Sequence, residues 1–373
     1  MKRRNIIFIT IVVIALMVGC GTAGNNKESS STTAGVSSDT ETAAEREDEI
    51  FDATEPPSQK GKWVIGFSNY TLGNSWKQQM EAEYQEAADA LVEDGVIDSY
   101  VMLNANDDQS KQIADIRDLI MMDVDAICVT AITQDALNDV LEEAEEAGIV
   151  VINFDNTVTS ENITSKISCS DYELGITCGE WMGEKLGETG GKVVVLDGIA
   201  GSSTSENRHK GMLEGLEKTC PKAEVLTTVA CDFDYATAKT AMEDIVAAYP
   251  EIDGVLSQGG SMTQAALEVF LANGRKLVPM TGEASNGFLR AWAAQIDNGF
   301  QSMAFVAPSY MSVKALNVAV NALNGADVEK EYTVSEPPVT NDTIEKYYRK
   351  DLSDSFWVFS TLSEKKKVEL FGE

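Results

Sequence analysis

From Trp63 onward the chain alternates short β-branched runs with longer amphipathic stretches. The runs are Trp63–Phe67, Tyr100–Leu103, Ala126–Val129, Val150–Phe154, Lys192–Leu196, Glu224–Val229, Gly254–Ser257 and Lys276–Met280. Between the first two, Lys77–Leu91 reads as a helix. Gln134–Ala147 has helical period: Leu137, Val140, Leu141 and Ala144 share one face, and Glu142, Glu143, Glu145 and Glu146 are mostly turned away. Thr133 stands where an N-cap would and Gly148 at C′. Ile113, Ile116, Leu119 and Ile120 repeat the pattern one unit earlier. Strand–helix units of about 25 to 35 residues predict βαβ crossovers and parallel sheets. Eight or more such strands could close one barrel or form two open sheets, and periodicity leaves both possible.

The start of the chain follows a different pattern. Lys2, Arg3 and Arg4 precede an apolar run, Ile6–Val18, that ends in Met17-Val18-Gly19-Cys20. A basic start, a short apolar core and small residues before a cut make a secretory signal. The cysteine after Gly19 makes it resemble a bacterial lipoprotein signal, with Met17 where that family usually has Leu, and Leu16 just upstream. The thiol of Cys20 would take the diacylglycerol and tie the chain to a membrane without a span. A simple anchor helix or a plain secreted chain are the other readings. Residues 1–19 are therefore expected to be a signal peptide and 20–61 a tether, rich in Ser, Thr, Glu, Ala and Gly. Folding should begin near Lys62. An exported, tethered chain favours two sheets over a barrel.

Composition narrows the function classes. The 373 residues leave room for about two domains, and 43% hydrophobic residues can fill two cores. With 29 Lys and Arg against 60 Asp and Glu, the formal charge of −31 repels nucleic acid. The six cysteines form no C-x-x-C pair, and one histidine, His209, gives little basis for a metal site or a triad. No metal or cofactor is expected, and His209 reads as a surface helix residue. Cys128 and Cys178 read as core, whereas Cys220 and Cys231 flank a strand and could pair in an exported protein.

Candidate chemistry lies at the strand ends, where open α/β sheets bind ligands. These loops are Ser68-Asn69-Tyr70-Thr71-Leu72-Gly73-Asn74-Ser75-Trp76, Thr130–Thr133, Asp155-Asn156, Asp197–Ser203 with Glu206-Asn207-Arg208, Gln258–Ser261 and Gly282–Asn286. They are rich in carboxylates, amides and hydroxyls and lack clustered Arg and Lys. Such groups pair with adjacent hydroxyls, and indole faces cover the C–H side of a ring, which suits a neutral sugar or polyol. Gly198–Ser203 lacks the GxGxxG spacing of a phosphate loop. Asp155 could instead be a helix cap, and Trp76 could belong to the core of the first helix.

The motifs "IGFSN…GNSW", "DDQSKQIADIRDLI…DAICVTAITQDAL", "GIVVINFDN", "GIAGSSTSENRHKG" and "DGVLSQGGSMTQAAL" resemble the periplasmic sugar-binding proteins of ABC importers, in the ribose/galactose-binding branch with the type I fold. The resemblance runs from about Lys62 to the Asn324 region. It implies an α/β architecture of two doubly wound parallel-sheet lobes joined by a three-segment hinge, with no catalytic activity. One lobe would be 62–168 with 307–325 and the other 169–306 with 326–373. Asn74 and Trp76 match the family's Asn and aromatic after the first strand, Asp155 its hydroxyl-binding Asp, and Glu283 falls where a second Asp stands. The family often has Arg where this chain has Asn156. Another ligand Arg falls on Glu206, beside Asn207 and Arg208; an Asn falls on Gly259 and a Gln near Val306. These departures leave the sugar open, ribose included, but not the architecture. The candidate ligand set is thus Asn69, Asn74, Trp76, Thr130, Asp155, Asn156, Glu206, Arg208, Gln258 and Glu283, with lipid on Cys20. Expected partners are a monosaccharide or polyol, ABC permease subunits and, through Cys20, the membrane, with the chain itself a monomer. A sensor that signals to a membrane kinase would use the same clamp. A glycosidase would need Asp155 and Glu283 as an acid/base pair.

Overall fold

The computed structural model describes residues 57–373, so Cys20 and the signal lie outside the described residues, as does most of the tether. Twelve strands form two six-stranded sheets. The first sheet holds β1 (Val64–Asn69), β2 (Ser99–Asn104), β3 (Ala126–Val129), β4 (Val150–Phe154), β5 (Ser165–Ser168) and β11 (Glu331–Thr333), in the order β11-β5-β4-β3-β1-β2. The second holds β6 (Lys192–Asp197), β7 (Glu224–Ala230), β8 (Gly254–Ser257), β9 (Met280–Glu283), β10 (Ser302–Phe305) and β12 (Val339–Thr340), in the order β12-β10-β9-β8-β6-β7. Two short open sheets, not a barrel, resolve the alternative that periodicity left open. Apart from the antiparallel pair β10–β12, the ladders are parallel.

Each sheet is buried on both faces, which is why its central strands read as unbroken apolar runs. In β1 and β3, Ile65, Phe67, Ala126 and Cys128 face α1 (Ser75–Glu93) and α9 (Met311–Leu323). Ile127 and Val129 face α2 (Gln109–Met121) and α3 (Asn138–Glu146). The second sheet repeats the plan. Val193 and Val195 pack with α4 (Asp171–Leu186) and α5 (Ser203–Thr219), and Val194 and Leu196 with α6 (Tyr235–Ala248), α7 (Gly260–Ala272) and α8 (Asn286–Ala293). A last helix, α10 (Glu364–Phe371), ends the chain. The chain passes between the sheets after β5, after β10 and after β11.

Several sequence expectations change. The run Lys276–Met280 is not the strand; Met280–Glu283 is, because Pro279 has no N–H to give a ladder. Residues 134–137 are turns, so α3 begins at Asn138 and Thr133 caps nothing, although Gly148 does take a left-handed φ of 86°. Glu142 and Glu145 accept bonds from Ser160 and Thr164 instead of standing free in water. β11 pairs with β5, so the segment after 325 first completes the first sheet and crosses to the second only beyond Thr333. Cys220 and Cys231 are free. They lie at opposite ends of β7, which at about 3.3 Å per residue spans roughly 20 Å, far beyond disulfide reach. His209 is half-buried, its Nδ1 2.9 Å from Asp197 Oδ2.

Candidate binding site

In both sheets the strand order reverses between the first strand and its neighbours, β3-β1-β2 and β8-β6-β7. A crevice opens at such a switch point beyond the carboxyl ends. A cavity there, about 490 Å³ with its open mouth included, is lined from the first lobe by Tyr70, Asn74, Trp76, Lys77, Asp155 and Asn156. Thr204, Arg208, Phe233, Gly259, Ser261 and Glu283 line it from the second lobe, and Trp357 from the C-terminal segment.

The first-lobe wall is built around Asp155. Its φ of 59° turns the chain sharply after β4, a left-handed conformation that Asp tolerates better than most residues. Asn153, buried two residues earlier in β4, donates to Val129 O and Asn156 O and accepts from Val158 N, holding the loop in that shape. The Asp155 carboxylate sits 2.5 Å from Lys77 Nζ and 3.1 Å from Thr130 Oγ1. Lys77 also donates to Thr130 at 2.9 Å and lies 4.5 Å from the centre of the Tyr70 ring. Burial pulls the lysine below its ordinary range, and Asp155 works against that shift. Burial and the charge of Asp155 both raise Tyr70, so its hydroxyl keeps its proton, and it accepts from Asn156 Nδ2 at 3.1 Å.

The second-lobe wall is built around Arg208. Gly175 lets α4 and α5 touch: a Cβ there would lie 2.3 Å from Arg208 O. That approach brings Asp171, at the start of α4, against the guanidinium. Nε donates to Asp171 at 2.8 Å, and Nη1 donates to Glu283 at 3.0 Å and to Gln258 O at 3.0 Å. The guanidinium carbon lies 4.6 Å from the Phe305 ring centre and 5.9 Å from that of Phe233. Burial works against the charge on Arg208, but Asp171 and Glu283 more than offset it and hold it protonated. Burial pushes Glu283 up to about 7, with Arg208 opposing the shift.

The sequence candidates divide into two groups. Asn74, Trp76, Asp155, Asn156, Arg208 and Glu283 meet in the cavity. Asn74 also caps α1 by accepting from Lys77 N, and Trp76 is both cavity wall and core, its Nε1 donating to Ala307 O at 2.8 Å. The other four do not line the cavity. Asn69 is fully buried and shapes the next loop, donating to Thr71 O and Glu81. Thr130 bridges Lys77 and Asp155 from behind. Gln258 ties three loops through Gly198 N, Asp197 and Ser205 O. Glu206 is exposed outside the cavity, where it accepts from Gln134 of the other lobe. A strand-end amide can serve the loop as easily as a ligand, and residue type alone does not separate the two.

Lys77, Thr204, Phe233 and Trp357 line the cavity outside the strand-end loops read from the sequence, and Asp171 pairs with Arg208 behind it. Lys77 had a signal: it shares a helical stripe with Met80, Tyr84, Ala88 and Leu91, and a lysine on a core face needs an anion. Trp357 had one as well, in the aromatic run Phe356-Trp357-Val358-Phe359. Lys77 thus joins the expected Arg208 as a second cation at the cavity, and carboxylates pair with both.

The chain matches the periplasmic binding protein domain over residues 65–327. It is 26% identical over 288 residues to the ribose import binding protein of Bacillus subtilis, covering 75% of this chain and 88% of that protein. It is 27% identical over 243 residues to a xylitol-binding protein of Mycolicibacterium smegmatis, covering 65% of this chain and 68% of that one. A solute-binding protein of a Bacillus halodurans ABC transporter, solved with myo-inositol, superposes with a TM-score of 0.68 at 23% identity, covering 78% of this chain and 98% of that one. With the fold, the switch-point cavity and the match over most of its length, the chain belongs to the periplasmic binding protein family, whose members bind substrates and do not transform them.

Proposed function

We propose that this protein captures a neutral sugar or polyol between its two lobes and delivers it to the permease of an ABC importer, acting outside the cytoplasm as a monomer. The observation that carries this reading is the pair Asp155 and Glu283, facing one cavity from opposite sheets. The cavity's formal charges are already paired, Lys77 with Asp155 and Arg208 with Asp171 and Glu283. A charged ligand would have to break those pairs, whereas hydroxyls can insert as extra donors and acceptors. Trp76, Phe233 and Trp357 supply apolar faces for the C–H side of a ring. Ribose, named for several relatives, is not carried over, because Asn156 and Gly259 stand where that branch has Arg and Asn.

A thermal-shift screen over pentoses, hexoses, polyols, cyclitols and sugar phosphates tests the ligand class. At about 100 Kd the right compound adds roughly 2.7 kcal/mol of stability, and stabilisation by sugar phosphates alone would contradict the neutral-ligand reading. Lipid attachment at Cys20 rests on the sequence signal. Cys20→Ser should move the protein to the aqueous phase of a detergent partition, and unchanged partition would remove the anchor.

A further inference from the structure

The family match ends at residue 327, yet a residue thirty positions later lines the cavity. The strip Phe356-Trp357-Val358 runs between the lobes. On one side it meets the loop that follows Glu283. Asn286 N donates to Phe356 O at 2.7 Å, Ser285 and Trp357 form an antiparallel bridge, and Val358 N reaches Ala284 O at 3.4 Å. On the other side it meets the first turns of α1, the stretch that carries Trp76 and Lys77. Trp357 N donates to Gln79 Oε1 at 2.9 Å, and Gln79 Nε2 returns a bond to Trp357 O at 3.0 Å. The indole Nε1 donates to Ser75 Oγ at 2.9 Å.

Alternation along the strip divides its side chains between the lobes. Phe356 and Val358 join the second-lobe core, while Trp357 joins the first. The residues before the strip are anchored to the second lobe. Asn286 Nδ2 donates to the carbonyls of Arg349, Leu352 and Ser353, and Leu352, Leu362 and Phe371 fill that core. Further along, Ser360 Oγ and Thr361 N donate to Glu83 of α1. Trp357 is thus presented to the first lobe from a segment rooted in the second, and its ring plane is fixed by a bond at the indole nitrogen.

We propose that Trp357 is a ligand-contacting, specificity-determining wall of the site, held over the cavity by the Gln79 and Ser75 clip. The proposal rests on the reading of the cavity as a sugar or polyol site. An aromatic face fixed in this way covers the apolar side of a ring and limits how large a ligand the closed cavity accepts.

The test compares wild type, Trp357→Phe and Trp357→Leu by calorimetry against the tightest compound of the screen and a disaccharide containing it. Both variants keep an apolar side chain in the first-lobe core, so folding is retained. Trp357→Leu should bind the monomeric ligand at least about tenfold more weakly, Trp357→Phe within about threefold, and only Trp357→Leu should gain affinity for the disaccharide. Equal affinities in wild type and Trp357→Leu would overturn the proposal. If wild type binds nothing in the screen, the proposed function falls, and the clip is read without ligand. Hydrogen exchange at the Trp357 amide should then be at least about tenfold faster in Gln79→Ala than in wild type, and equal rates would overturn the placement of Trp357.

Discussion

The two walls of the cavity hold buried charge in different ways. On the first lobe one lysine meets one carboxylate, with the Thr130 hydroxyl completing the cluster. On the second, one guanidinium meets two carboxylates, Asp171 and Glu283, and is packed near two aromatic rings. Lysine is a point charge on a flexible stem, and arginine a rigid fork whose donors keep their geometry. The Asp155 pair therefore has the less constrained geometry and the Arg208 cluster the more constrained one. Asymmetry also sets the charge balance. The first cluster is neutral as it stands, but the second carries an extra carboxylate, and Glu283 is the one that burial pushes up to about 7.

Arg208→Met should produce the largest effect, because it strands two buried carboxylates. Its cost should be about 3–5 kcal/mol in denaturant unfolding. Lys77→Met strands one carboxylate that still has Thr130, and it should cost less. A larger loss for Lys77→Met would reverse the comparison.

Asp155→Ala comes next, in binding. Each charge-assisted hydrogen bond to a hydroxyl is worth about 1.5–3 kcal/mol, so affinity should fall at least tenfold and as much as several hundredfold by that magnitude. Asp155→Asn keeps the shape with one acceptor fewer and should fall between.

The pH dependence comes from two buried carboxylates, Glu283 in the second wall and Glu83 in α1 outside the cavity. Burial raises Glu283 and Glu83 from the usual 4.5 to about 7. Between those values the folded protein holds protons that the unfolded chain has released. These groups therefore favour the fold fully below about pH 4.5, and the benefit is lost as pH rises through about 7, by about 1–3 kcal/mol for each group. Glu83→Gln should flatten half of that slope in melting curves taken from pH 4.5 to 8. A slope of opposite sign in the wild type attributable to these two groups would contradict their raised values. The smallest effects belong to the loop staples. Asn69→Ala should cost about 1–2 kcal/mol of stability while leaving sugar affinity within twofold. Glu146→Ala, on an exposed helix position, should stay within about 0.5 kcal/mol of wild type.

Why the fold was legible and part of the site was not has a physical basis. β1, β3, β4, β6 and β8 are buried on both faces, so their apolar runs announced them. β5, with the sequence Ser-Lys-Ile-Ser, and β11, with Glu-Tyr-Thr, carry no such run. Asp155, in a polar pair that interrupts an apolar strand end, lines the cavity. Asn69 and Gln258 met the same criterion, yet they stand outside the cavity and staple loops, since a strand end must also satisfy the backbone of the loop that leaves it. Lys77 was hidden because its helix was read for apolar period alone. Trp357 was hidden because it comes from a segment outside the strand–helix repeat, and only the folded chain brings it back to the first turn of α1.

In the proposed function, one ligand is held from both lobes at once. It is tested most directly by calorimetric titration of the tightest sugar or polyol into Asp155→Ala and Glu283→Ala, side by side with wild type. Each variant removes one carboxylate from one wall, and both should lose at least about tenfold in affinity. Wild-type affinity in either variant would mean that the ligand does not span the two lobes at this cavity.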